Sequence, residues 1–82
     1  MVEFIADAFI VDQIVDWFGE NARMTHIGDD GKKVRVKLKV SLRAMEHWTM
    51  QYLTHVEILS PAKLRSQICE NIRNAAEKYH VK

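Results

Sequence analysis

Residues 48–65, WTMQYLTHVEILSPAKLR, carry the end of one amphipathic helix, a short strand and the start of another helix. Val56 to Leu59 is too short for a buried helix and has the β-branched character of a strand. Ser60 suits an N-cap, because its hydroxyl can accept from a free amide of a first helical turn. Pro61 then falls at the first helical position, where a missing N–H costs nothing. The stretch predicts a strand-to-helix junction that sets how a final helix leaves a small sheet. Nothing in it is chemistry.

Upstream, Lys32 to Val40 sets Val34, Val36, Leu38 and Val40 against Lys33, Arg35, Lys37 and Lys39. Period two with one apolar face predicts a half-buried strand. Gly28-Asp29-Asp30-Gly31 before it is a hairpin signal, with Asp-Gly supplying the positive φ angles that a tight turn wants, and Arg23 to Ile27 is the partner strand. Val2 to Ala6 reads as a further short strand. Asp7 is placed to cap the next helix, in which Ile10, Ile14 and Trp17 recur at helical spacing beside Val11 and Phe18. Gly19 is expected to stop that helix as a left-handed residue just past its end.

Ser41 is expected to cap a second helix with Leu42, Met45, Trp48, Thr49 and Tyr52 inward, and the last helix carries Leu64, Ile68, Ile72, Ala75 and Tyr79 along one side. The order is β-α-β-β-α-β-α. That predicts an α+β domain over residues 1–82: a ferredoxin-like β-α-β-β-α-β sandwich with an appended C-terminal helix. Right-handed connections put both crossover helices on one sheet face. The other face stays open unless the last helix or a second subunit covers it.

At 82 residues the chain has room for one modest core. A hydrophobic content of 48% with 28% charged residues is ordinary for a folded domain. The net charge of +1 argues against a strongly electrostatic nucleic-acid binder taken as a whole. One cysteine, Cys69, excludes an internal disulfide and a cysteine-cluster metal site. No signal peptide is evident, and no apolar run approaches the roughly 18–20 residues of a membrane span, so a cytoplasmic protein is expected. Strand residues begin almost at once after Met1, which suggests a C-terminal fragment of a longer protein with an added start methionine.

The comb Lys33, Arg35, Lys37 and Lys39 is the sharpest polar feature, projecting from mid-sheet onto the open face. It admits three readings: a solvated face with cross-strand ion pairs, to which Glu3 and Asp7 contribute; a weak anion or nucleic-acid surface; or an interdomain or dimer contact. RNA-recognition sheets need aromatic platforms on the central strands, and this strand has none. His26, His47, His55 and His80 show no metal-ligand spacing. His55 is expected to cap the preceding helix end or face solvent. Cys69 has Arg65 and Arg73 four residues to either side, but no histidine–acid pair is positioned to activate it, so an inert, part-buried thiol is expected. Trp17 and Trp48, each ending a helix, are expected in the core. A phosphate loop, CxxC, nucleophile elbow and paired carboxylates at a helix–strand end are all missing, and no enzyme is expected.

Trp48, Gln51, Tyr52, Val56, Ile58, Leu59, Pro61, Leu64 and Arg65 form a pattern that resembles the C-terminal extension domain following the WYL domain in bacterial transcriptional regulators. Asp16-Trp17-Phe18-Gly19 resembles that family's Phe-Gly ending to its first helix, and Tyr79 sits where many members end the last helix with Tyr. Members often carry Gly after the aromatic; here Leu53 follows Tyr52, so the turn before the strand is expected to differ.

The resemblance implies a non-catalytic domain supporting dimerisation and signal transfer, without a cofactor. Its neighbours in the parent chain would be a WYL sensing domain and an N-terminal helix-turn-helix domain, the only DNA-binding part. The residues expected to meet a partner or an anion are Lys33, Arg35, Lys37 and Lys39 on the open face, with Arg65, Arg73 and Tyr79 on the last helix. Two other classes remain: an ACT-like small-molecule module, although Ala8-Phe9-Ile10 stands where ACT domains usually carry glycines, and a weak single-stranded nucleic-acid binder using the basic comb.

Overall fold

The alternating run is a strand over Lys33–Leu38, and it organises the rest of the chain. The structure is a computed structural model that describes residues 1–81. In chain order the elements are β1 (Val2–Asp7), α1 (Val11–Phe18), β2 (Arg23–Ile27), β3 (Lys33–Leu38), α2 (Leu42–Gln51), β4 (Val56–Ser60) and α3 (Ala62–Lys78). Single 3-10 turns, Ala8–Ile10, Gly19–Asn21 and Leu53–His55, join or precede them. The architecture is α+β: a four-stranded sheet, antiparallel throughout and ordered β2-β3-β1-β4, with three helices.

Alternation on β1 and β3 separates the two faces of the sheet. Val2, Phe4 and Ala6 are buried opposite Leu38, Val36 and Val34, their register partners. The same core takes Ile10 and Ile14 from the first helical segment, Met45 and Trp48 from α2, Ile58 from β4, and Leu64 and Ile68 from α3. All three helices therefore pack into one core on one side of the sheet. Trp48, fully buried, is its hub: ring centroids lie 5.6 Å from Phe4, 5.2 Å from Phe18 and 4.9 Å from Tyr52. Such tilted and edge-to-face pairs add to the area the indole buries. Two polar atoms in this region, Trp48 Nε1 and Thr49 Oγ1, are buried without a hydrogen-bond partner among the described residues.

The tight turn between β2 and β3 takes positive φ at Gly31 as expected, but its second such residue is Gly28 and not Asp30. Gly28 and Gly31 have φ of 72° and 67°, and the Asp30 carboxylate accepts from the Lys32 amide at 3.0 Å. Ser41 caps α2 by accepting from Ala44 N–H at 3.1 Å. Other junctions differ from expectation. Asp7 makes no capping bond: it ends β1, and its carboxylate accepts from the His55 ring N–H at 3.1 Å, so His55 ties β4 to β1 instead of capping a helix. A 3-10 turn intervenes before α1. Gly19 has a positive φ of 59°, but its ψ of −143° lies outside the left-handed helical region, and the chain continues into a 3-10 turn.

Ser60 is not the N-cap of α3. A bulge between the Phe4–Ile58 and Glu3–Ser60 pairs leaves Leu59 unmatched and lengthens β4 to Ser60, so Pro61 becomes the cap position with no side-chain bond. Trp17 is not core, being 52% exposed. The eight-residue α1 makes only about two turns. Ile14 and Phe18 take its inward side, and Trp17, one residue before Phe18, is turned out. The stripe of α3 is buried only at Leu64 and Ile68, whereas Ile72 and Tyr79 are exposed. At 1.5 Å per residue a 17-residue helix is about 25 Å long, and five strand residues reach about 17 Å, so its second half outruns the sheet. β3 is shorter than its pattern, leaving Lys39 and Val40 beyond its end.

Candidate functional site

The face away from the helices is built from the odd-numbered residues of β1, β2 and β3. Their registers set three rows across it. The first runs Arg23, Lys37, Glu3, Ser60; the second Thr25, Arg35, Ile5, Glu57; the third Ile27, Lys33, Asp7. Lys33, Arg35 and Lys37 are exposed in the middle of the sheet, as β3 lies between β2 and β1. No part of α3 covers them, because its buried residues belong to the core on the other side.

Each carboxylate in these rows has a partner. Glu3 pairs with Arg35 at 3.2 Å, Asp7 with His55 at 3.1 Å and Glu57 with Arg65 at 3.2 Å. Glu3 thus neutralises part of the comb as expected, while Asp7 is engaged elsewhere. Among the described residues no carboxylate lies within 4.0 Å of the charged ends of Arg23, Lys33, Lys37 or Lys39. Arg23, Lys37 and Lys39 border a shallow cleft of about 620 Å³ at the start of β2 and the end of β3, together with Leu38 and Asn21. Cations without a carboxylate partner, held on paired strands around an open cleft, can accept a diffuse anion or an acidic surface. Stacking is a different matter: Phe4, on the helix side, is the sole Phe, Tyr or Trp on the four strands.

The seven residues expected to meet a partner therefore divide. Lys33, Arg35 and Lys37 share the open face, and Lys39 borders its cleft. Arg65, on α3, reaches the β4 edge of the sheet, where its guanidinium donates to the Ile58 carbonyl at 2.6 Å and to Glu57 at 3.2 Å. It fastens α3 to β4. Arg73 is exposed on α3 beside Glu70, at 3.4 Å, and Tyr79 ends that helix 81% exposed. Neither belongs to the basic face.

Arg23 is the residue the pattern reading missed. The run Arg23 to Ile27 has no alternation of its own, and only its register through the hairpin sets Arg23 opposite Lys37. Elsewhere, His47 and Gln51 are hydrogen-bonded on one face of α2, and His55 has no hydroxyl or thiol hydrogen-bonded to it among the described residues. No group of three His, Cys, Asp or Glu residues that could hold a metal occurs among the described residues. Cys69 is half-buried and borders a small apolar groove between β4 and α3 with Leu53, Val56 and Ile72. The described residues include no helix long and apolar enough to cross a membrane.

The model of the WCX domain matches residues 2–76, from the first residue of β1 to the last turn of α3. No curated protein matches the sequence.

Proposed function

The chain belongs to the WCX family, the C-terminal extension domain of WYL-domain regulators, and on that basis we propose that it is a non-catalytic regulatory and dimerisation domain. It relays effector sensing in a neighbouring WYL domain to a separate helix-turn-helix domain that binds DNA, in a bacterial, cytoplasmic regulator. The observation that carries this reading is the family match itself, which spans six of the seven regular elements and most of the seventh. The strand order β2-β3-β1-β4, with helices between β1 and β2 and between β3 and β4, supports reading the fold as ferredoxin-like with α3 appended.

The mechanism is mechanical. An effector bound next door changes how this domain packs against its partner, and the spacing of two DNA-binding heads changes with it. A basic surface on which Arg23, Lys33, Lys37 and Lys39 lack carboxylate partners among the described residues suits such a contact, because it can exchange one acidic surface for another without breaking the core. The test removes residues 2–76 from the full reading frame. Loss of effector-dependent regulation, with each DNA-binding head still able to contact its half-site, is the expected outcome. Regulation unchanged by the deletion would contradict the proposal.

A second reading has a specific observation behind it. Arg23, Lys37 and Lys39 around the open cleft suit phosphate groups, so a single-stranded nucleic acid is the competing ligand. That reading requires an affinity that falls steeply with salt and is lost in Lys37→Glu. Binding insensitive to both changes removes it.

A further inference from the structure

We propose that the basic sheet face takes the acidic outer face of α1 from a second copy of this chain, so that copies pack head to tail. The inference deepens the dimerisation reading above, on which it rests, by naming the acidic surface that the basic rows meet. Charge is segregated along the chain. Residues 8–22 hold Asp12, Asp16 and Glu20 and no Lys, Arg or His, whereas residues 31–40 hold Lys32, Lys33, Arg35, Lys37 and Lys39 and no acid. The fold then puts the two groups on opposite sides: α1 lies in the helix layer, with Ile14 in the core, and the rows face the other way. Asp12, Asp16 and Glu20 are exposed and make no ion pair among the described residues. Glu3, Asp7, Glu57 and Glu70, by contrast, are already paired.

A second copy is the occupant because each face supplies what the other lacks. Ile14 and Phe18 turn inward, which leaves Asp12 and Asp16, one turn apart, along the outward side of α1. Four helical residues rise about 6 Å and two strand residues span about 7 Å, so the acids are spaced to the step between alternate cations of the comb. Val15 and Trp17 flank the acids and are exposed. An exposed Trp beside charged groups is a common interface anchor. The open cleft offers it cationic walls in Arg23, Lys37 and Lys39 and apolar ones in Met1 and Leu38. α1 is also held in place, since the Tyr52 hydroxyl donates to Gln13 at 3.0 Å and ties it to the end of α2. Because the two faces are opposite, the contact is heterologous. A pair of copies leaves one basic and one acidic face free, and a ring or an open stack uses them all.

Sedimentation of the 82-residue chain over a range of concentrations tests this, with two charge-reversed variants. One is Asp12→Lys with Asp16→Lys, the other Lys37→Glu with Lys39→Glu. All four side chains are exposed, so both variants keep their fold, which circular dichroism verifies. Wild-type association should weaken as salt rises. Each variant alone should associate about tenfold more weakly than wild type or worse, because like charges then face each other across the contact. An equimolar mixture of the two should regain association, since the intact faces match each other and the reversed faces match each other. Either variant associating as strongly as wild type, or a mixture that stays dissociated, overturns the pairing of these two faces and leaves the dimerisation reading standing. If only Asp12→Lys with Asp16→Lys is without effect, the basic rows meet a different acidic partner. A wild-type chain that stays monomeric at millimolar concentration overturns the pairing and removes dimerisation by this domain as well.

Discussion

β4 and β2 are both five-residue edge strands of one sheet, and the chain treats them oppositely. β4 buries Ile58 in the core, has α3 packed along it and has a carbonyl held by Arg65. β2 has no buried residue and no cover on its outer edge. Stability is therefore concentrated on the β4 side and around Trp48, and the β2 side, with its adjoining basic rows, stays exposed. Regions of low local stability are where binding functions are commonly found, and here the separation follows strand by strand from what each segment can bury.

The largest break in that comparison is at its hub. Trp48→Ala removes a fully buried ring that joins β1, α1 and α2, and should cost about 3–5 kcal/mol in urea unfolding. That is a large share of what a domain of this size has in hand. A loss below about 1 kcal/mol would mean the core lies elsewhere.

Arg65→Ala comes next. It leaves the Ile58 carbonyl without its charged donor and loosens α3 from β4, for an expected loss of about 1–3 kcal/mol, read from the urea midpoint. The exposed pair with Glu57 adds little to that, because solvent screens it. Thr49→Val works in the other direction. It replaces a buried hydroxyl that has no partner with a methyl of similar size and should raise stability by about 1 kcal/mol in the same assay. At the small end, Met24→Ser on β2 should move the unfolding midpoint by no more than about 0.5 kcal/mol, since its side chain is already 38% exposed. A loss there as large as that of Arg65→Ala would erase the contrast between the two edges.

Much of this arrangement is legible in the sequence, for identifiable reasons. Lys33 to Leu38 alternates charged with β-branched or leucine side chains, and only a strand with one wet face fits that pattern. Its neighbours along the hairpin follow from Gly28 and Gly31, whose positive φ angles make the turn. Trp17 was unreadable because helical spacing gives a stripe but not the depth at which each member sits, and a two-turn helix has room inward for only part of it. Ser60 looked like a cap until the bulge at Leu59 drew it into the strand.

The candidate site was legible only in its centre. Lys33, Arg35 and Lys37 share one face by period two alone, whereas Arg23 joins them through a register that the run RMTHI does not display. Arg65 looked free because nothing local in the sequence marks the carbonyl it reaches; that contact depends on where α3 comes to rest.

The most direct test of the regulatory reading is the size of the native polypeptide, read by immunoblot of source cells with an antibody raised against this domain. A product of about 300 residues, three domains of ordinary size, with a helix-turn-helix segment near its start is the predicted result. A native product of 82 residues would contradict the account, since there would be neither a sensor to relay from nor a DNA-binding head to relay to.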